Sequence, residues 1–352
     1  MAAGILALAA TVGLAGAPTE SSKQEAARLP LSPVILVERP GMVREFSVDR
    51  QQVKQMVDHA LLKLTSAPDL ATAWQRLGIT PQDVVGIKIT TVGGPLLCSH
   101  RSLVEAICAG LEAGGVPPTR IIIWDKFQDR MRRAGYALRA ADGTSPAIES
   151  VVPDNNYDPS VFYRNGMIGN LIWGDFMFSQ LPGLSGADAS QVVARSYYTK
   201  FVTQICTKLI NVPVLTDDQL GGIHGCMSSL ALDSIDNNRR FRGRPTYGDP
   251  AIDEILDRDF MRRKVVVHIL DALVVQCAGG PAFNPQFCGP LGALYVGRDP
   301  VAIDSLVLPR LERMRRAMNV PPIGNTTGYI RSANDYNLGT TDPRRIQLVR
   351  IP

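Results

Sequence analysis

Short apolar runs that end in polar residues constrain the fold of this chain more than any other feature. These runs are VVGIKIT at 84–90, RIIIWD at 120–125, KLINVPVL at 208–215 and KVVVHILDAL at 264–273. They are typical of buried strands, and they alternate with segments of helical periodicity such as 47–63 and 102–114. Because strands separated by helices pair in parallel through right-handed crossovers, we predict an α/β fold. We expect a mostly parallel or mixed sheet with helices on both faces.

The N-terminal segment differs from the rest of the chain. Residues 1–17 are mainly apolar and rich in small residues, with no charged side chain before Glu20. They are too short for a comfortable membrane span, and Ala15 and Ala17 form the A-x-A pattern of a secretory cleavage site. We therefore predict an export signal and a periplasmic or cell-envelope location, with no stable transmembrane span after its removal. Because a Lys/Arg-rich leader is missing, we expect a start upstream of Met1. A buried or disordered N-terminal arm is the alternative.

The remainder is predicted to form one domain. After a linker at 18–33, a single α/β domain covers 34–352, with an irregular insertion at about 136–195 that is rich in Gly, Pro, Asn and aromatic residues. Ser47 is the expected N-cap of the helix at 47–63. A helix is also expected from about Gly222, directly after the strand at 208–215.

Composition excludes several classes of function. The net charge is +4 and aromatic residues make up 6%, with no interleaving of basic and aromatic residues, so nucleic-acid binding is not expected. None of the six cysteines forms a C-x-x-C pair, so the chain carries no motif for an iron–sulfur cluster or a zinc ribbon. In an exported protein, Cys277 and Cys288 are candidates for a disulfide across the loop between them.

Polar residues collect at the carboxyl ends of the predicted strands. They are found at 88–91, 125–126, 216–218, 271 and 298–299. Open α/β sheets bind ligands at that edge. We therefore predict one cleft lined by Lys88, Asp125, Asp217, His224 and Arg240.

Lys88 and Asp125 each permit two interpretations. Lys88 interrupts a buried strand, which is costly for a lysine that is not paired. It is either half of an ion pair with a strand-end carboxylate such as Asp125, or an anion contact or base with a depressed pKa. Asp125 is either a ligand or metal group, or the N-cap of the following helix.

The glycine-rich turn after 208–215 offers a candidate metal site. His224 lies in a glycine-rich segment, GGIHG. Together with Asp217 it could ligate a divalent metal, although the spacing of the two residues matches no standard metal motif. His268 alternates with core residues and is predicted to be a core histidine.

Two further groups are candidates for binding a small anionic ligand. Thr91 and Gly93 belong to a T-V-G-G-P loop that is similar to a short anion cradle. Asn238 and Arg240 supply donors suited to a carboxylate or phosphate. A capped loop with surface arginines is the alternative for the second group.

Four stretches carry a resemblance to a bacterial family. They are VVGIKIT, IIIWDKFQDRMRRAGY, KLINVPVLTDDQLGGIHGCMSSLALDSIDNNRRF, and HILDAL followed by GGP and ALYVGRDPVAIDSLVL. The chain resembles the domain of unknown function 362 family from about residue 34 to its end. The resemblance implies an α/β fold, frequent export, and a site at residues matching the family pattern, here Lys88, Asp125, Asp217, Asn238, Arg240 and Asp304. It implies no particular reaction.

The chain departs from the family pattern at four positions. Where the family typically presents a Lys and a His, and then a Lys-Asn pair, this chain has Thr216, Asp218, Ser228 and Ser229. Two hypotheses follow. The first is an exported enzyme or binding protein for a small anionic ligand, with Lys88, Asp125, Asp217 and His224 as catalytic groups and possible assistance from a divalent metal. The second is a non-catalytic envelope or interaction protein that keeps the fold with eroded site residues.

Overall fold

A computed structural model describes residues 30–164 and 195–352. The predicted signal at 1–17, most of the linker and the centre of the predicted insertion lie outside the described residues. In the described part, no helix is long and apolar enough to cross a membrane.

The main structural unit is a ten-stranded mixed sheet. Its strands are β1 (Ser32–Glu38), β4 (Val85–Ile89), β5 (Ile121–Asp125), β6 (Ala147–Ser150), β9 (Lys208–Val212), β10 (Val214–Asp218), β11 (Gly222–His224), β12 (Val265–Gln276), β13 (Cys288–Gly297) and β14 (Ile346–Ile351). The order across the sheet is β14-β1-β13-β12-β9-β4-β5-β6, and β10 continues beside β12 and pairs with β11. Two small sheets, β2 (Val43–Arg44) with β3 (Ser47–Val48) and β7 (Tyr157–Arg164) with β8 (Arg195–Thr199), complete the strands.

Ten helices are described. They are α1 (Arg50–Thr65), α2 (Leu70–Arg76), α3 (Arg101–Ala113), α4 (Gln128–Arg133), α5 (Pro153–Asn156), α6 (Cys226–Asp233), α7 (Ala251–Leu256), α8 (Asp259–Lys264), α9 (Pro300–Ala317) and α10 (Gly328–Ser332). The first four pack on one face of the sheet, and α6 to α10 pack on the other.

Alternation along the strands divides the interior into two hydrophobic cores. In β1, Ile35 and Val37 belong to the core under α1–α4, whereas Val34 and Leu36 belong to the core under α6–α10. Neighbouring strands β4, β5, β6, β9 and β12 pair in parallel, while β13 pairs antiparallel with β1 and β12. The predicted α/β fold with helices on both faces is therefore confirmed.

Several local predictions are wrong. Asp49, not Ser47, caps α1, because Ser47 pairs with Arg44 in a hairpin and the Asp49 carboxylate accepts from Gln52 N at 2.8 Å. The run at 208–215 forms two strands separated by Pro213, and residues 222–224 form β11 where a helix is expected. Asp271 lies inside β12, paired with Leu294, and not at a strand end.

Candidate functional site

Three polar residues form a row across the centre of the sheet. Lys88 on β4 is directly opposite Asn211 on β9, and Asn211 is directly opposite His268 on β12. Residues in register point to the same face. The apolar neighbours of Lys88 in β4, Ile87 and Ile89, belong to the core under α1–α4, so this polar row faces α6.

Helix α6 covers the polar row with one face. Cys226, Ser229, Leu230 and Asp233 recur at helical spacing. Ser229 and Asp233 contact Lys88, while the Cys226 carbonyl accepts from Asn211 Nδ2 at 2.9 Å. The helix therefore encloses the row and supplies most of its partners.

Charged side chains hold both ends of α6. At its start, the Asp304 carboxylate accepts from Cys226 N at 2.7 Å and Met227 N at 3.0 Å. Beyond its end, Lys126 Nζ donates to the Ile235 carbonyl at 2.7 Å and to the Asp236 carbonyl. Burial raises the pKa of Asp304 to about 7, so its negative charge at the helix start is partial near neutral pH, whereas the positive charge of Lys126 beyond the end complements the helix dipole.

Lys88 is fully buried, and its ammonium group contacts three polar side chains. Its Nζ lies 2.5 Å from Asp233 Oδ2, 3.1 Å from Ser229 Oγ and 3.4 Å from Asp125 Oδ1. Burial opposes the charge on the lysine, but Asp125 and Asp233 outweigh burial and raise the pKa of Lys88. The geometry therefore matches the ion-pair interpretation of Lys88 and gives a protonated lysine, not a base with a depressed pKa.

Asp125 binds backbone and hydroxyl groups from two loops. Thr91 donates both its N–H, at 3.0 Å, and its hydroxyl to Asp125 Oδ2, and Lys126 N donates to Oδ1 at 2.8 Å. Burial raises the pKa of Asp125, against the opposing effect of Lys88. The proposed capping role is wrong, because α4 begins at Gln128 with Phe127 at the N-cap position.

His224 lies beside the same charges without a hydrogen bond to them. It is opposite Thr216 in the β10–β11 pair, and its Nδ1 has no partner among the described residues. Burial lowers the pKa of His224 to about 4, with Asp233 and Lys88 acting in opposite directions. The ring is therefore neutral at pH 7.

Asp217 belongs to a different environment. Its Oδ1 accepts from Gly280 N at 2.8 Å, and its Oδ2 lies 3.7 Å from Arg315 Nη1. Burial raises the pKa of Asp217, with the Gly280 N–H and Arg315 opposing it. Asp217 therefore has none of its described contacts with Lys88, Asp125 or His224.

The residues do not fit a divalent metal. Within 30–164 and 195–352, no three His, Cys, Asp or Glu side chains converge closely enough to hold an ion. Asp217 faces Arg315, and the neighbouring Asp218 forms an ion pair with Arg242. Each carboxylate is already balanced by a guanidinium that would repel a cation.

The predicted anion-binding residues are mainly engaged within the protein. Thr91 binds Asp125, and a Cβ at Gly93 would come within 2.3 Å of the Leu97 carbonyl, so Gly93 is required for packing. Arg240 is 1% exposed, so it is not a surface arginine, and its Nη1 donates to Ser196 Oγ at 3.1 Å. Asn238 is also buried.

Reasoning from the sequence missed Asp233 and Asn211, and it named Ser229 only as a departure from the family pattern. One signal was present: a lysine inside a buried strand requires a carboxylate partner. The sequence did not identify that partner, because Asp233 is 145 residues from Lys88. The six cysteines are free thiols, and Cys277 Sγ lies 3.6 Å from Met318 Sδ.

Comparison with known proteins assigns no family to this chain. No protein-family model and no curated protein matches it. Among solved structures, it is similar to the crystal structure of a Thermotoga maritima protein from the Northeast Structural Genomics Consortium, with 8% identity and a TM-score of 0.37. The match covers 82% of this chain and 59% of that chain, so this chain spans less than two thirds of that protein. The resemblance to the domain of unknown function 362 family stays a prediction.

Proposed function

We propose that this chain is a non-catalytic α/β protein that acts through binding, and that the charged groups around Lys88 stabilise the fold. The observation that carries the proposal is the closed set of contacts around Lys88. An ammonium has three N–H donors, and Ser229, Asp233 and Asp125 lie within reach of them. No donor of Lys88 remains for a substrate.

Energetics supports the same assignment. Removing one member of a buried ion pair costs about 3–5 kcal/mol, because the partner is left buried and uncompensated. Lys88 has two carboxylate partners and no exposed surface. A residue in this position contributes to folding whether or not a ligand is present.

We place the protein in the periplasm or cell envelope as part of the same proposal. The support is the apolar segment at 1–17 with its A-x-A pattern. Edman sequencing of the mature protein recovered from the envelope should begin beyond Ala15. Recovery of intact Met1 from that fraction would contradict cleavage.

A second candidate is an enzyme or binding protein for a small anionic ligand at the Lys88 cluster. One observation favours it: His224 is a neutral imidazole with an unpartnered ring nitrogen beside Asp233. Such a nitrogen can accept a proton. This candidate requires the ligand to displace contacts that Lys88 already makes.

Thermal unfolding of Lys88→Met separates the two candidates. Methionine keeps the stem volume and leaves both carboxylates unpaired, so we expect a loss of about 3–5 kcal/mol and no stabilisation of the parent protein by phosphate or acetate. Lys63→Met, on the exposed surface of α1, is the matched control and should unfold like the parent.

The opposite result identifies a ligand site. If Lys88→Met keeps the parent melting temperature, and phosphate or acetate stabilises the parent but not the variant, the structural role is wrong. If His224→Gln abolishes that stabilisation as well, the second candidate replaces the first.

A further inference from the structure

A cavity of about 160 Å³ lies at the His268 end of the polar row. Apolar side chains form part of its wall, among them Leu230 of α6, Leu256 of α7, Val265 of β12 and Leu338 from the segment before β14. His268 and Arg298 are among the polar residues that line it. No Asp or Glu is among the described lining residues.

Hydrogen bonding determines which nitrogen of His268 carries the proton. Asn211 Nδ2 donates to the Cys226 carbonyl, which identifies it as the amide nitrogen, and it lies 3.1 Å from His268 Nδ1. His268 Nδ1 must therefore accept, and the proton of the neutral ring lies on Nε2. With Nδ1 directed at Asn211, Nε2–H is the donor on the cavity side.

The two arginines that line the cavity differ in availability. Arg262 donates to Asp257 and to the Asn337 carbonyl, so its guanidinium is occupied by contacts within the protein. Arg298 is exposed and makes no ion pair or hydrogen bond within the described part of the chain. An exposed cation and the N–H donor of a buried ring therefore line a cavity that has both polar and apolar walls.

We propose that this cavity binds a small carboxylate with an apolar body, such as a short-chain fatty acid or an aromatic acid. The carboxylate accepts from Arg298 and from His268 Nε2–H, and the apolar body packs against the leucines. A cavity of about 150 Å³ accommodates benzene, so the volume suits an acid of about five or six carbons beyond the carboxylate. The proposal is independent of the role of the Lys88 cluster, which lies at the other end of the row.

Calorimetry with a series of acids tests the proposal. Acetate, butyrate, pentanoate, hexanoate and benzoate are titrated into the full chain. We expect affinity to rise by about fourfold for each added methylene until the cavity is full. Hexan-1-ol, which has the same chain without the charge, should bind at least tenfold more weakly than hexanoate, an order-of-magnitude figure for a charge-assisted contact.

Three variants identify the site. Arg298→Met should weaken hexanoate binding by roughly tenfold or more, whereas Arg316→Met, another exposed arginine, should leave it unchanged. Leu338→Trp, at the half-buried rim, should block binding by filling the cavity while the melting temperature stays near that of the parent.

Several outcomes would overturn the proposal. These are no binding by any acid of the series, affinity independent of chain length, equal binding of hexanoate and hexan-1-ol, and equal losses in Arg298→Met and Arg316→Met. Because Arg298 is exposed, a folding failure in Arg298→Met is not expected, and its melting curve checks this directly.

Discussion

The two ends of the polar row differ in what surrounds the polar side chain. Lys88 is enclosed by two carboxylates and a hydroxyl, so its charge is balanced within the protein. His268 has one ring nitrogen bound to Asn211 and lines a cavity. Both residues interrupt apolar strands in the same way and both are buried. Burial of a polar residue therefore does not by itself identify a site, and the proposed site at the His268 end rests on unused hydrogen-bonding capacity beside open space.

The largest effect is expected when the two carboxylates around Lys88 are neutralised one at a time. Lys88 lowers the pKa of Asp233 against the effect of burial, whereas burial raises that of Asp125. We therefore expect Asp233→Asn to cost about 3 kcal/mol and Asp125→Asn clearly less. Urea unfolding at pH 7 measures both values. Equal losses would mean that the two carboxylates share the lysine equally.

The second prediction concerns acid stability at the His268 end. Burial lowers the pKa of His268 to about 3, so the folded protein keeps a neutral ring while the unfolded chain binds a proton below its usual value of 6.5. The stability of the parent should therefore fall as pH decreases from 6.5 toward 3, by roughly 2 kcal/mol from this group between pH 6.5 and 5.

His268→Gln isolates that contribution. Glutamine retains an amide donor and an acceptor but does not titrate. Urea unfolding at pH 6.5 and pH 5 should show a smaller loss in the variant than in the parent. Identical losses in the two proteins would show that His268 is protonated as easily in the folded state as in the unfolded chain.

The smallest effect is expected at the centre of the row. Asn211→Ala removes the bonds to the Cys226 carbonyl and to His268, while Asn211 Oδ1 has no partner among the described residues and loses nothing. We expect a loss of about 1–2 kcal/mol in chemical denaturation. A loss as large as that of Lys88→Met would mean that the row acts as one coupled network instead of two separate ends.

The fold was predictable because strands and helices leave periodic patterns. Runs such as VVGIKIT and RIIIWD carry enough apolar residues to identify β4 and β5, and Lys88 is conspicuous within them. The site was harder to predict because its contacts join distant residues. Ser229 is 141 residues from Lys88, and no local pattern links them.

A shift of one residue along the strand also changes the contacts that a strand-end carboxylate makes. Asp217 and Asp218 are adjacent, yet the first contacts Gly280 and Arg315 and the second pairs with Arg242. Successive side chains of a strand point to opposite faces. From the sequence we expect Asp217 beside His224, but of the two carboxylates it is Asp218 whose charge acts on that ring.

The anchoring of α6 at both ends has a consequence for slow motions of the protein. Asp304 comes from α9 and Lys126 from the segment after β5, so two distant parts of the chain hold one short helix. Lifting α6 away from the sheet would break both anchors together with the contacts to Lys88. Its amide hydrogens should therefore exchange with solvent at rates close to those of the central strands, as one cooperative unit.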